Sequence, residues 1–481
     1  MTMYQSVEEM TNALKNVATV MTDRVHVTRP GAIPGDLVDH LAWTAVFAPD
    51  PALRGTARWL IRSLAAAEGI RPASIQDLYM AMGRNEAGGF TVPAINVRMM
   101  VYDTARAIMR AVKKLDAGAF ILEIARSEVG YTQQRPAEYA AMMTAAALRE
   151  GFCGPLFIQG DHVQVSAKKY NSPDRDKELD TMRKLIVEEV EATFYNIDID
   201  TSTLVDLSKG TLDEQQRTNY ELACEFSKLI RAREPKGVTI SIGGEIGEVG
   251  GKNSDVHELR AFMDGYNRCR PSEVAGISKI SVQTGTAHGG FVGTDGKVRT
   301  DVKIDLDTLA QLSKVAREQY GMAGAVQHGA STLPLDAFDA FPRVAACEIH
   351  LATDFQNMVY DHPQFPKALK DEMYAWLREH AADERKPTDT EEQWLYKSRK
   401  KAIGPFKQRV WDLPAGVRDA ISRSLEERFT FLLKQLKVEN TAATIGRFVK
   451  APDLPFDKDR EIVAAGGQIT AAERKAEGLA D

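Results

Sequence analysis

The chain has 481 residues, 44% of them apolar, and carries 61 basic against 67 acidic side chains for a net charge of −6. That balance excludes an electrostatic case for nucleic acid or an anionic membrane surface, while the apolar fraction suffices for a substantial core. Four scattered cysteines without C-x-x-C spacing, no leader-like start and no long apolar run point to free thiols, a cytoplasmic location and no membrane.

Residues 7–21, 34–47 and 51–67 read as helices joined by proline-containing loops, an N-terminal helical extension (1–76) without recognisable chemistry. From residue 77 strand and helix patterns alternate. Strand-like runs at 90–97, 119–124, 156–159, 194–200, 238–242, 279–283, 324–327 and 346–351 are each separated from the next by a helical pattern. The helices fall at 99–114, 136–150, 174–190, 212–233, 256–266, 306–320 and 335–341. Eight strand-helix units call for parallel pairing with right-handed crossovers, and eight strands close a sheet into a (β/α)8 barrel, here over 77–365. A doubly wound open sheet is the alternative. Helices at 366–380, 391–401 and 417–436 form a C-terminal arm (366–450), and the polar tail 451–481 is expected to be loose or to lie along a neighbour.

Three of the strand runs stop at a histidine. Leu156-Phe-Ile-Gln-Gly-Asp161-His162 ends on an acid beside an imidazole, and the runs into His288 and His328 end the same way next to glycine. Barrels keep their chemistry at the carboxyl ends of strands, and three neutral imidazoles suit zinc with a position left for substrate. Each histidine alone reads equally well as a core residue; three of only nine at strand ends favour one shared metal. Successive side chains of a strand diverge, so His162 can bind metal while Asp161 faces substrate as acid/base; the plainer reading of Asp161 is a cap on the next loop. Gly243-Gly-Glu245-Ile-Gly-Glu248-Val-Gly-Gly251 lacks the Lys-Ser/Thr of a phosphate loop and reads as an acid followed by a glycine-hinged loop. Gly289-Gly290 and Gly329-Ala330-Ser331-Thr332 offer backbone N–H groups to an anion, though glycine after a strand is also ordinary turn chemistry.

With these motifs in place, the chain resembles the class II, metal-dependent fructose-bisphosphate aldolase family. Val92-Pro-Ala-Ile-Asn96-Val, Gly160-Asp161-His162, Ile199-Asp200-Thr-Ser202, Gly244-Glu245, Gly285-Thr-Ala-His288-Gly289, His328-Gly-Ala-Ser331 and Thr353-Asp354 follow the family's order across about residues 77 to 360. The resemblance implies a zinc or other divalent ion on His162, His288 and His328, with Asp161 as catalytic acid/base. It further implies a second metal or monovalent cation site at Glu245 and Asp200, ketose-phosphate contacts at Asn96, Gly289, Gly329, Ser331 and Thr353, and a homodimer or homotetramer. Where the family has an asparagine, this chain has His350, expected to donate a hydrogen bond in its place; Ala352 and Ala125 stand for the family's Asp and Ser. The expected activity is reversible aldol cleavage of a ketose phosphate such as fructose 1,6-bisphosphate. The rivals are a metal-dependent epimerase or aldolase of a nonphosphorylated sugar or sugar acid, and a non-catalytic barrel subunit.

Overall fold

The computed structural model describes residues 2–247, 252–285, 291–293, 298–299, 304–330 and 333–468. Eight parallel strands close a barrel in chain order: β1 (Val92–Asn96), β2 (Ile121–Ala125), β3 (Ile158–Gln164), β4 (Asn196–Asp200), β5 (Ser241–Glu245), β6 (Lys279–Val282), β7 (Ala325–Gln327) and β8 (Glu348–Leu351). Pairing of β8 with β1 completes the ring, which removes the open-sheet alternative. The architecture is thus the expected (β/α)8 barrel. β4 shows how its sequence builds it. In Asn-Ile-Asp-Ile-Asp the period-two alternation sends Ile197 and Ile199 to the outer side and Asn196, Asp198 and Asp200 inward, all of them buried.

The end where the strands begin is closed. Ile75 N–H donates to the Asn196 side chain, Ser241 N–H to Ser74 Oγ, and the Tyr79 hydroxyl to the Glu348 carboxylate. Asn196, Ser241 and Glu348 open β4, β5 and β8, so the helix Gln76–Gly83 covers that end and leaves the opposite mouth for chemistry.

Three local expectations are corrected. The third run does not form one strand ending at residue 159. Gly154–Leu156 pairs with Ile70–Pro72 outside the barrel, and β3 continues through Asp161 and His162. Its register against β4 shifts between Gly160 and Val163, and His162 adopts a left-handed φ of +39°, so a bulge presents both side chains from within the strand. The fifth strand likewise lies later than 238–242 and ends on Glu245 itself. The expected helix 7–21 stops at Leu14, because the β-branched residues that follow pair as Ala18–Val20 with Val25–Val27.

Both extensions share the barrel's core. The Trp43 ring centroid lies 5.9 Å from that of Tyr102 and 4.9 Å from that of Trp411, joining the N-terminal helix Gly35–Phe47, the barrel helix Val101–Lys114 and the arm. Such ring pairs contribute about 0.5–1.5 kcal/mol each beyond area burial. The segment after residue 451, expected to be loose or along a neighbour, instead carries a helix, Lys458–Ala464, against Pro51–Ala67 of the same chain, fixed by a buried Arg62–Glu461 ion pair of 2.6 Å. Among the described residues no helix is long and apolar enough to cross a membrane.

Candidate active site

The mouth of the barrel gathers side chains from β3, β4, β5 and β7. His162 Nε2 and His328 Nδ1 converge to 2.6 Å. The other nitrogen of each ring has its own partner: His162 Nδ1 lies 3.0 Å from Asp200 Oδ2 and 3.4 Å from Glu245 Oε2, and His328 Nε2 lies 2.8 Å from Ser281 Oγ. Asp161 Oδ1 sits 3.9 Å from His162 Nε2. Metal-binding imidazoles show this division, one nitrogen toward the ion and the other oriented by a carboxylate or hydroxyl.

Among the described residues four donor groups have ligand atoms within 4.8 Å of one another: Asp161, His162 and His328 form one and His162, Asp200 and Glu245 a second, while the other two, Glu123–Asp161–His350 and Asp198–Glu348–His350, share His350. Burial pulls His162 toward the neutral form, yet the charges of Asp161 and Glu245 outweigh it and hold its pKa well above the ordinary value. Burial, then the Asp200 charge, pushes Glu245 up to about 8. Asp200 goes the other way: burial would raise it, but its hydrogen bond to His162 and that ring's charge keep it low. This cluster of carboxylates, with imidazole nitrogen and carboxylate oxygen donors on one spot, fits a divalent cation.

Beneath and beside these residues lies a second layer of buried charges, of which motif reading had named only His350. His350 on β8 holds Asp161 Oδ1 and Glu123 Oε2 at 3.1 Å each through Nδ1, and Glu348 Oε1 at 2.7 Å through Nε2. Lys279 Nζ donates to Gln159 Oε1 at 2.8 Å, Asp198 Oδ2 at 2.9 Å and Glu348 Oε1 at 2.5 Å. Burial lowers the affinity of His350 for its proton, but Glu123 and Asp161 reverse that and raise the pKa well above the usual one, favouring an imidazolium. Lys279, completely buried and flanked by Asp198 and Glu348, is held as an ammonium, which leaves it no lone pair for a Schiff base. The sequence signal for this layer was present: Glu123, Lys279 and Glu348 are single charges inside apolar strand runs, where an unpaired charge is costly.

The mouth opens into a cavity of about 750 Å³ lined on its floor by Asp161, His162, His328 and His350. Its walls come from the helix Arg126–Tyr131 after β2, from Gly329, Ala352 and Thr353, and from Tyr396, Lys397 and Lys400 of the C-terminal arm. Of the expected contact residues, Gly329 and Thr353 therefore line the cavity. Asn96 does not: it is buried, its amide donating to Glu128 and accepting from Arg98 Nε at 3.0 Å. His350 lines the floor, but its ring nitrogens face carboxylates, so the expectation of a donor for substrate meets an imidazole already engaged. His288, Gly289 and Ser331 lie outside the described residues, as do Glu248, Gly251, Gly290 and Thr332.

A closed parallel barrel with imidazole and carboxylate donors at its strand ends defines a (β/α)8 protein with candidate metal groups. The family model for fructose-bisphosphate aldolase class-II matches residues 77–418, and the chain belongs to that family. A fructose-bisphosphate aldolase of Giardia intestinalis is 24% identical over 263 residues, 54% of this chain and 67% of that protein. Among solved structures, a probable tagatose 6 phosphate kinase from Sinorhizobium meliloti 1021 has a TM-score of 0.50 at 16% identity, over 78% of this chain and 97% of that one. A fructose-bisphosphate aldolase from Campylobacter jejuni scores 0.46 at 16% identity, over 77% and 96%. The first of these two likenesses speaks to the fold alone. The family match reaches into the arm, beyond the stretch near residue 360 where the recognisable motifs end.

Proposed function

We propose that this chain is a metal-dependent aldolase that reversibly cleaves a ketose phosphate such as fructose 1,6-bisphosphate into dihydroxyacetone phosphate and an aldehyde. The observation that carries the reading is the convergence of His162 Nε2 and His328 Nδ1 beside Asp161 at the floor of a substrate-sized cavity. His162 and His328, with His288 as the third ligand, would hold the ion, zinc by its donor set. When bound, such an ion supplies a Lewis acid for the ketose carbonyl and the negative charge that develops there.

The chain's own residues do the rest. Asp161 removes the proton of the C4 hydroxyl; the C3–C4 bond breaks, and C4 becomes the carbonyl of the departing aldehyde. The electron pair passes to the carbonyl-bearing fragment, which takes up a proton at C3 from solvent to become dihydroxyacetone phosphate, the proton on Asp161 returning to solvent. In condensation Asp161 returns that proton. The contact of 3.1 Å with His350 fixes the orientation of the carboxylate. Gly329 and Thr353 line the wall where a phosphate would lie.

A retro-aldol assay on fructose 1,6-bisphosphate with and without chelator tests this. Cleavage lost to chelator and restored by zinc is expected; cleavage indifferent to chelator would remove the metal role, and failure on every ketose phosphate would remove the substrate class. A second reading, epimerisation or aldol cleavage of a nonphosphorylated sugar or sugar acid, is favoured by Ala125 and Ala352, small apolar cavity residues where the family has Ser and Asp. Turnover that requires phosphate on the substrate excludes it.

A further inference from the structure

Five lysine and arginine side chains line the cavity: Arg98, Arg126, Lys169, Lys397 and Lys400. Four of them are committed. Arg98 pairs with Glu128 at 2.5 Å, Arg126 with Glu178 at 2.5 Å, Lys169 with Glu178 at 3.6 Å and Lys397 with Asp389 at 2.6 Å. Lys400 has no carboxylate at ion-pair distance among the described residues; its ammonium stands 5.7 Å from the centroid of the Tyr131 ring. Lys400 is exposed to solvent on the cavity side; the surrounding protein, and then the neighbouring Arg98 guanidinium, lower its pKa, and the charges of Glu128 and Glu384 offset that only in part.

The arm holds Lys400 firmly. Its neighbour Arg399 is buried, pairs with Asp361 at 2.9 Å, and lies over the rings of Tyr360 and Tyr396. A few residues on, Gly404 N–H donates to the Tyr131 carbonyl at 3.0 Å, tying the arm to the short helix that forms the facing wall. A side chain at Gly404 would bring its Cβ within 2.5 Å of that carbonyl oxygen, so the close approach requires glycine. The backbone on both sides of the lysine is anchored while its ammonium makes no ion pair among the described residues.

We infer that Lys400 is a specificity residue of the site, delivered by the C-terminal arm of the same chain to pair with an anionic group at the end of the substrate away from the reacting carbonyl. The inference rests on the cavity being the active site and deepens the proposed function. It assigns the arm a role, that of carrying one wall of the pocket. The group recognised is a carboxylate or a phosphate monoester, since one ammonium pairs with either; no second unmatched cation lines the described wall.

The test measures binding by calorimetry, independent of turnover, on the full-length metal-loaded protein. The probes are three ligands alike at the carbonyl end: fructose, fructose 6-phosphate and fructuronate, the last carrying a carboxylate at C6. The wild type is expected to prefer one or both anionic ligands over fructose, and Lys400→Met to cut that preference by about 10- to 100-fold, the value of a charge-assisted contact. Lys400→Arg should recover most of it, which a misfolded arm would not allow; melting temperatures of both variants check folding. Loss confined to the phosphate identifies a sugar phosphate, and loss confined to the carboxylate a sugar acid. A wild type that binds no anionic ligand better than fructose, or a Lys400→Met protein that keeps the preference, overturns the inference. Binding that depends on Lys400 in a protein that cleaves no ketose overturns the aldolase reading alone.

Discussion

His162 and His328, which meet at the barrel mouth, and His350, whose strand is the neighbour of the one leading into His328, are the same residue type used in opposite ways. The first two each turn one nitrogen to a single place and anchor the other, on Asp200 and Ser281 respectively. His350 turns both of its nitrogens to carboxylates, Asp161 and Glu123 on one, Glu348 on the other. Yet the rings of His328 and His350 stack with centroids 4.1 Å apart. Position on a strand end thus does not decide whether an imidazole binds a cation or acts as one; the partners of the second nitrogen do.

The sharpest way to break this contrast is to remove each ring in turn and measure bound metal and turnover together. His328→Ala should lose the ion and, with the Lewis acid's several kcal/mol, about 10³-fold or more of the aldol activity. Asp161→Asn should keep the ion and lower kcat by about 10²- to 10⁴-fold, the usual share of a general base. His350→Gln should also keep it, with a smaller fall of about 10- to 100-fold, as for partners that orient a reacting group. Metal lost from the His350 variant as completely as from the His328 variant would erase the distinction.

The barrel and half of this contrast were legible in the sequence. Eight apolar runs alternating with helical periodicity gave the strands, and Asp161, His162 and His328 stood out because a polar pair or an imidazole ended an apolar run. The anchoring layer left only its single charges inside apolar runs to be read, without their partners, because the pairs exist only once the sheet closes: Lys279 meets Glu348 and Asp198 across the barrel interior, at 69 and 81 residues' separation. The bulge at β3 was hidden for a different reason. Its left-handed position is occupied by His162, a residue that does not advertise such a conformation as glycine would. Lys400 belongs to an arm with no motif, and only packing shows which of its lysines faces the cavity and lacks a partner.

A gentler probe sharpens the metal side. Ser281 touches His328 through its hydroxyl alone, so Ser281→Ala should weaken metal affinity by about 10- to 100-fold while activity at saturating metal changes much less. Competition with a fluorescent zinc chelator reads the affinity directly. An unchanged affinity would mean that the serine does not orient the ring.

The smallest effect concerns what supports the bulge from behind. Glu189, on the helix Arg175–Glu191, is completely buried with both carboxylate oxygens lacking hydrogen-bond partners, and a Cβ added to Gly160 would come within 2.5 Å of one of them. Burial, and after it the charge of Glu188, raises its pKa well above 4.5, so the folded protein keeps a proton there that the unfolded chain releases. Between those two pKa values the native state binds more protons, and its stability must fall as pH rises, by about 1.4 kcal/mol for each unit crossed. Below about pH 4 both states are protonated and the contribution is intact. Glu189→Gln carries no such proton. Urea unfolding of metal-loaded protein from pH 4 to 8 should therefore show the variant close to wild type at the acid end and progressively more stable than it toward pH 8. Parallel pH profiles for the two proteins would mean that Glu189 is ionised and solvated in the native state, and that Gly160 owes its place beside Asp161 to something other than a buried acid.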